Sequence, residues 1–392
     1  MRQTQEEHHS PLLHRTRGQS VGWLSGLWMF FLGGGVVWGL AGYHQQLSHG
    51  LAITGLSDQV PWGLYIANFV FLVGIAASAV ILVAAVQWFH RSDLSPTLLP
   101  AKILAMTAVF MSLLFVLADL GHPERIWHAL PLLGSLNFPT SILAWDILVL
   151  SAYLLLNMGQ VAFHGEKMGR FSRPGAVIAI LLGLSIHMVT AFMLAGNPSR
   201  PLWYSAILAP RFIVSAFAAG SALMILLFRL INRSSPGAFQ APVFRYLAQV
   251  LTTSLWVHLF FLGAELYSHG YPSAEHARAA RHLYLGWMEH NPWTLWIYTG
   301  LSLTLLATTI MTHSRSRANP RWQGVACLLA LVGLWMEKGL GLVIPGLSPT
   351  PLGELASYVP TLTEVRIALG IWALGAMVLT GFMMKMAINN NQ

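Results

Sequence analysis

The chain has 392 residues, of which 55% are hydrophobic and only 9% charged, with a formal net charge of +8. Soluble domains carry about 25% charged residues, so a soluble globular protein is excluded, and basic loops beside membrane spans explain the positive charge without nucleic acid. The single cysteine, Cys327, lies in an apolar run, which excludes a disulfide framework and a cysteine-ligated metal or iron–sulfur site.

In chain order, a polar segment over 1–22 with His8, His9 and His14 reads as a tail. Ten apolar spans follow, near 23–42, 62–88, 100–119, 139–157, 173–195, 211–231, 243–266, 292–311, 322–344 and 365–386. Each has roughly the 20 residues needed to cross about 30 Å of hydrocarbon. No small-residue cleavage site accompanies the first span, so it reads as an anchor and not a signal peptide. No phosphate loop or GxGxxG follows a strand pattern, so nucleotide chemistry is not expected. The expected fold is an all-α integral membrane protein.

Loop charges set an orientation. Of the 22 basic residues, fifteen fall on one side: Arg2, Arg15, Arg17, Arg91, Lys102, Lys167, Arg170, Arg173, Arg229, Arg233, Arg245, Arg315, Arg317, Arg321 and Lys385. Six fall opposite: Arg125, Arg200, Arg211, Arg278, Arg281 and Arg366. The positive-inside rule puts both termini in the cytoplasm, in a bacterial-type inner membrane. The outer loops 43–61, 120–138, 196–210, 267–291 and 345–364 are long and rich in Pro, Gly, Trp and His. A partner or substrate is therefore expected at that face.

Ionisable groups in hydrocarbon are costly and are functional candidates. They are Asp119, Asp146, His187, His258, Glu265, Glu337 and Lys338, with Asn68 as a neutral addition. The span edges place Asp146 roughly 10 Å, and His187 and His258 roughly 12 Å, below the outer ends of their helices. Carboxylates and imidazoles wetted from one side suit a proton-coupled pocket. A wire through the membrane would need such groups in the inner half as well. The alternatives are structural: Asp119 capping its helix or pairing with Arg125, and Glu337 and Lys338 pairing with other helices. A haem would need two axial ligands at similar depth; His187 and His258 are one such pair, and haem is not expected.

Several stretches then carry a resemblance. "PWGLYIANFVFLVGIAASA" (61–79), "DLGHPERIWHALP" (119–131), "NFPTSILAWDILVLSAYLLLN" (137–157), "SIHMVTAF" (185–192), "ILAPRFIVSAFAAG" (207–220), "LGAELYSHG" (262–270) and "WMEKGLGLVIPGLSPTPLGE" (335–354) follow one another in this order. Together they resemble the NrfD/polysulfide-reductase family of membrane subunits. Within it, 335–354 looks most like the membrane subunits of sulfite-reductase-linked electron-transfer complexes, and the ten-span length like hydrogenase-2-type subunits.

The resemblance implies two four-helix bundles with extra terminal helices, no redox cofactor bound covalently, and menaquinone or ubiquinone as substrate near the outer face. It implies an extracytoplasmic, ferredoxin-like iron–sulfur partner, with a multihaem cytochrome c, molybdopterin or hydrogenase subunit beyond it. The domain reading is a cytoplasmic tail over 1–22, a first helix and outer loop over 23–60, a first bundle over 61–200, a second over 201–345, and an outer loop, last helix and short cytoplasmic tail over 346–392. The quinone-contacting set is Asn68, His122, Arg125, Asp146, His187 and Arg211, with Asp119, Asp146 and His187 exchanging protons. His122 stands where many relatives have Arg. His258, Glu265, Glu337 and Lys338 form the proton-linked set, and no metal site is expected. "GNPSRPLW" (196–203) and "IPGLSPTPLG" (344–353) read as docking material or as aromatic belts. The rival readings are a secondary transporter, which would need broken helices and midplane sites, and a structural anchor.

Overall fold

The computed structural model describes residues 12–76, 78–129, 134, 137–162, 172–270, 274–286 and 291–389. His8 and His9 of the tail, Lys167 and Arg170, and Leu130 and Pro131 of the second quoted stretch lie outside the described residues. No strand occurs among those described, and ten helical segments are long and apolar enough to cross a membrane. The protein is an all-α, multi-pass membrane protein. In hydrocarbon a lone segment must satisfy its own backbone polar groups, and the helix is the form that does so.

The helices are α1 (Leu12–His49), α2 (Leu64–Ala76), α3 (Ser78–Gln87), α4 (Leu98–Asp119), α5 (Ile142–Ala162), α6 (Ser172–Ala195), α7 (Leu208–Ser234) and α8 (Ala241–Gly270). They continue as α9 (Ala274–Leu285), α10 (Pro292–Thr312), α11 (Ser314–Ala318), α12 (Pro320–Lys338), α13 (Leu340–Leu347) and α14 (Leu362–Asn389). Ten spans come out where ten were expected, with shifted ends. α1 runs on to His49, and α9 forms within the expected loop 267–291. Lys102 is buried inside α4 and is not a loop charge. Arg211 is likewise buried within α7.

Helices α2 to α6 pack on one another, and α7, α8, α10 and α12 form a second set. The sets meet where α2, α3 and α6 touch α7 and where α2 touches α12. Every residue of α2 is buried, and correspondingly it is apolar round nearly its whole surface, Asn68 excepted. α1 and α14 pair with each other at the edge, against α4. Lipid tails are as apolar as leucine, so that pairing depends on close contact through small residues. Gly35 and Gly39 form a GxxxG step on α1, and a Cβ added at Gly39 would lie 2.6 Å from the Gly370 Cα of α14.

The ninth span, Pro320–Leu347, is interrupted. α12 ends at Lys338, Gly339 takes φ −82° and ψ −109°, and α13 restarts at Leu340. That conformation lies outside the helical and extended regions open to other residues. The loop 196–207 then fastens α13: Trp203 Nε1 donates to Leu342 O at 2.9 Å and Arg200 to Leu347 O at 2.6 Å. Trp203 is fully buried and stacks on Trp62 at 5.5 Å between ring centres. The two segments expected as docking material thus touch through Arg200 and Leu347, while Trp203 reaches Leu342 just ahead of the second, because a buried indole N–H needs an internal acceptor.

Candidate functional site

Three polar clusters lie toward the end of the protein that carries the long loops. The first joins α5 and α6. α5 starts at Ile142, so Asp146 is in its second turn, roughly 6 Å from the helix start and shallower than expected. The buried Asp146 Oδ1 accepts from the Thr190 hydroxyl at 2.9 Å, and that hydroxyl is also 2.9 Å from Ile186 O. Its single hydrogen is shared between them. His187 lies one turn from Thr190 on α6. Its Nδ1 is 3.1 Å from Gly183 O and so carries the proton, while the buried Nε2, near the Gly74 backbone of α2, makes no hydrogen bond of normal geometry. Asp146 and His187 thus flank Thr190 and share no hydrogen bond.

The second cluster lies in the second helix set. Arg211 of α7 donates from Nη1 to Glu265 of α8 and from Nη2 to Glu337 of α12. His258 Nε2 lies 3.1 Å from the other Glu337 oxygen. Arg211, expected among the quinone-contacting residues, is bonded to two of the residues expected as proton-linked, because two buried carboxylates require a cation between them. Lys338 diverges from Glu337, reaching the Phe212 carbonyl at 3.4 Å with its ammonium 4.1 Å from that ring's centre. It stands beside Gly74 of α2, where the two sets meet. Glu265 Oε1 and His258 Nδ1 are buried without partners. A cavity of about 30 Å³, lined by Arg211, Glu265, His269, Tyr284 and Glu337 among others, has room for about two water molecules. Burial pushes the Tyr284 phenol up, against the pull of Arg211.

Of the third cluster the sequence singles out Asp119 alone. Glu364 opens α14, accepting from Gly55 N at 2.8 Å, Tyr358 Oη at 2.6 Å and Thr361 N at 2.9 Å. Tyr358 Oη in turn accepts from Leu64 N at 2.7 Å. Burial, then the Glu364 charge, pushes the Tyr358 phenol up. Next to it, Tyr65 donates to Gln46 at 2.7 Å, and Gln46 donates to Ala118 O at 2.6 Å. Asp119 follows Ala118, and its Oδ1 is buried without a partner. A signal exists in the sequence: Thr361 and Glu364 have the S/T-x-x-E spacing of a capping box ahead of an apolar run.

The remaining candidates are elsewhere. Asn68 donates to Leu64 O and accepts from the indoles of Trp335 at 3.1 Å and Trp372 at 3.0 Å. It ties three spans together. His122 pairs with Glu124 at 2.9 Å with both side chains well exposed, 70% and 64%. The Glu124 backbone amide, then the His122 ring, holds the Glu124 carboxyl below its ordinary value. Arg125 is exposed, and no ion pair joins it to Asp119 among the described residues. His187 and His258 stand in different helix sets, His187 bonded through Nδ1 to the Gly183 carbonyl and His258 through Nε2 to Glu337.

Residues 52–348 match the family model described as "Polysulphide reductase, NrfD". The chain is similar to a putative dimethyl sulfoxide reductase membrane subunit of Halobacterium salinarum, 26% identical over 92% of this chain and 90% of that protein. It is similar to an Hdr-like menaquinol oxidoreductase integral membrane subunit of Archaeoglobus fulgidus, 24% identical over 85% and 86%. It is also similar to the integral membrane subunit of a menaquinone reductase of Nitratidesulfovibrio vulgaris, 22% identical over 90% and 89%.

Proposed function

The chain belongs to the NrfD polysulphide reductase family, and from that premise we propose that it is the quinone-reactive membrane subunit of a respiratory oxidoreductase complex. Quinol oxidation releases two electrons and two protons, and reduction takes up the same. The electrons pass to or from an iron–sulfur subunit docked at the loop-rich end, and the protons exchange with the water there. Asp146, His187 and Asp119 are the proton-exchanging groups. The observation that carries this reading is the set of buried, incompletely partnered proton carriers toward that one end: Asp119 Oδ1 and His187 Nε2, beside the Asp146–Thr190 pair. Relatives named as menaquinol oxidoreductase and menaquinone reductase subunits support it.

The bias of basic residues supports a cytoplasmic location for both termini and an outward-facing loop-rich end. Leu352, Leu355, Val359 and Leu362 stand exposed there, which supports a protein partner on that surface. The test is quinol turnover by the complex purified with its native partners. Loss of turnover in Asp146→Asn with assembly intact supports the proposal, and undiminished turnover returns the chain to a structural anchor.

One observation favours a second reading. The span interrupted at Gly339, beside Glu337 and Lys338, has the broken-helix form of ion-transport sites. Proton uptake by proteoliposomes without quinone would favour transport through the second helix set.

A further inference from the structure

A crevice of about 220 Å³ lies between α1, α4 and α14. We propose that it holds the isoprenoid chain of the quinone, with the ring end directed to Asp119. This rests on the quinone reading above and adds the route by which the substrate enters.

The lining is apolar on all three helices, including Leu40, Leu114, Leu117, Ile371 and Leu374, with Tyr43 at one position. A dry apolar cavity of about 150 Å³ admits benzene, so this one accepts a longer apolar group. Gly39 and Gly370 line it as well. They are the residues at which α1 and α14 touch, so their missing side chains bring the two walls together while leaving the floor bare. Leu40 is 61% exposed on the outside of α1, so the crevice is reached sideways from lipid.

The crevice extends to Ala118, and Asp119, the next residue of α4, lies beyond that end and outside its lining. The Asp119 Oδ1 is buried and unpartnered, which suits a neutral headgroup bearing a hydroxyl donor. An anionic phospholipid headgroup would instead meet the Asp119 carboxyl, which no cation pairs among the described residues. Asp146 and His187 line neither this crevice nor the small cavity at Arg211.

The test uses the complex with its native partners in nanodiscs, assayed with a long-chain quinol and with the same quinol carrying a methyl group in place of the chain. Leu114→Trp and, separately, Ile371→Trp fill the crevice from different helices. Each is expected to raise KM for the long-chain quinol on the order of tenfold and to leave the short quinol's kcat and KM unchanged. Equal losses for both quinols, or no loss for either, overturn the assignment. So does an unchanged KM accompanied by loss of a co-purifying phospholipid, which assigns the crevice to an acyl chain. Should both variants fail to assemble, a quinone with a photoreactive group at the chain end is applied to the unaltered complex. Labelling of α1, α4 and α14 peptides supports the proposal, and labelling elsewhere overturns it. An unaltered complex that turns over neither quinol overturns the quinone reading itself, whereas turnover without chain-length selectivity in the variants overturns only the crevice.

Discussion

The Asp146 carboxylate of α5 accepts a hydrogen bond from the Thr190 hydroxyl of α6 at 2.9 Å, away from water. A buried carboxyl held by one shared hydroxyl has acceptor positions left over, as a group that trades a proton needs. Asp146→Asn keeps the shape and removes the titration. We expect quinol turnover to fall on the order of 100-fold, in the range of a lost general acid–base group. Thr190→Val should retain most turnover with a raised KM. Steady-state kinetics on the purified complex check both.

Arg211 is the only cation bonded to both Glu265 and Glu337 among the described residues. Removing one partner of a buried ionic cluster costs about 3–5 kcal/mol, because the remaining charge is left uncompensated. Arg211→Leu should therefore lower the melting temperature sharply in detergent. Arg211→Lys should recover only part of it, since a single ammonium does not reproduce the two-pronged geometry of guanidinium. Replacing Glu265 and Glu337 by Gln together with Arg211→Leu should recover more than either change alone.

Asn68 accepts from two half-buried indoles, Trp335 and Trp372. Asn68→Leu leaves both without an acceptor, at about 1–3 kcal/mol each. The expected outcome is a lower melting temperature with an unchanged quinol KM. A raised KM at unchanged melting temperature would return Asn68 to the quinone-contacting set.

Tyr358 joins Leu64 of α2 to Glu364 of α14. Its phenol is pushed above the ordinary value of 10.0 by burial and by Glu364. A group with a raised folded-state value binds its proton more tightly when folded, so its contribution is complete below the unfolded value and lost above it. Stability in detergent should thus decline as pH rises beyond about 10. Tyr358→Phe should be less stable at neutral pH, by about 1–3 kcal/mol, and show a shallower alkaline decline. Melting curves from pH 7 to 11 test the slope.

How far the sequence reaches is plain from particular residues. Asp146, His187, His258, Glu265 and Glu337 can be singled out because each is an ionisable side chain in an apolar run, and all are buried in the fold. His122 and Arg125 cannot be separated from them, since a loop residue's exposure depends on what packs over it. Lys102 and Arg211 read as loop charges because helix ends are the least certain part of a span. Glu364 escapes notice for the same reason, although its spacing from Thr361 carries the capping signal.

The sequence by itself determined the membrane architecture. An apolar segment of about 20 residues in hydrocarbon has to form a helix, whatever its neighbours do. Only the tertiary structure decided which charges meet. Arg211 and Glu337 are 126 residues apart, Asn68 and Trp335 are 267 apart, and Gly55 and Glu364 are 309 apart. No local periodicity relates such pairs. They are joined because packed helices leave a buried charge or indole few partners, and because the glycines of α1 and α14 let those two helices close beside α4.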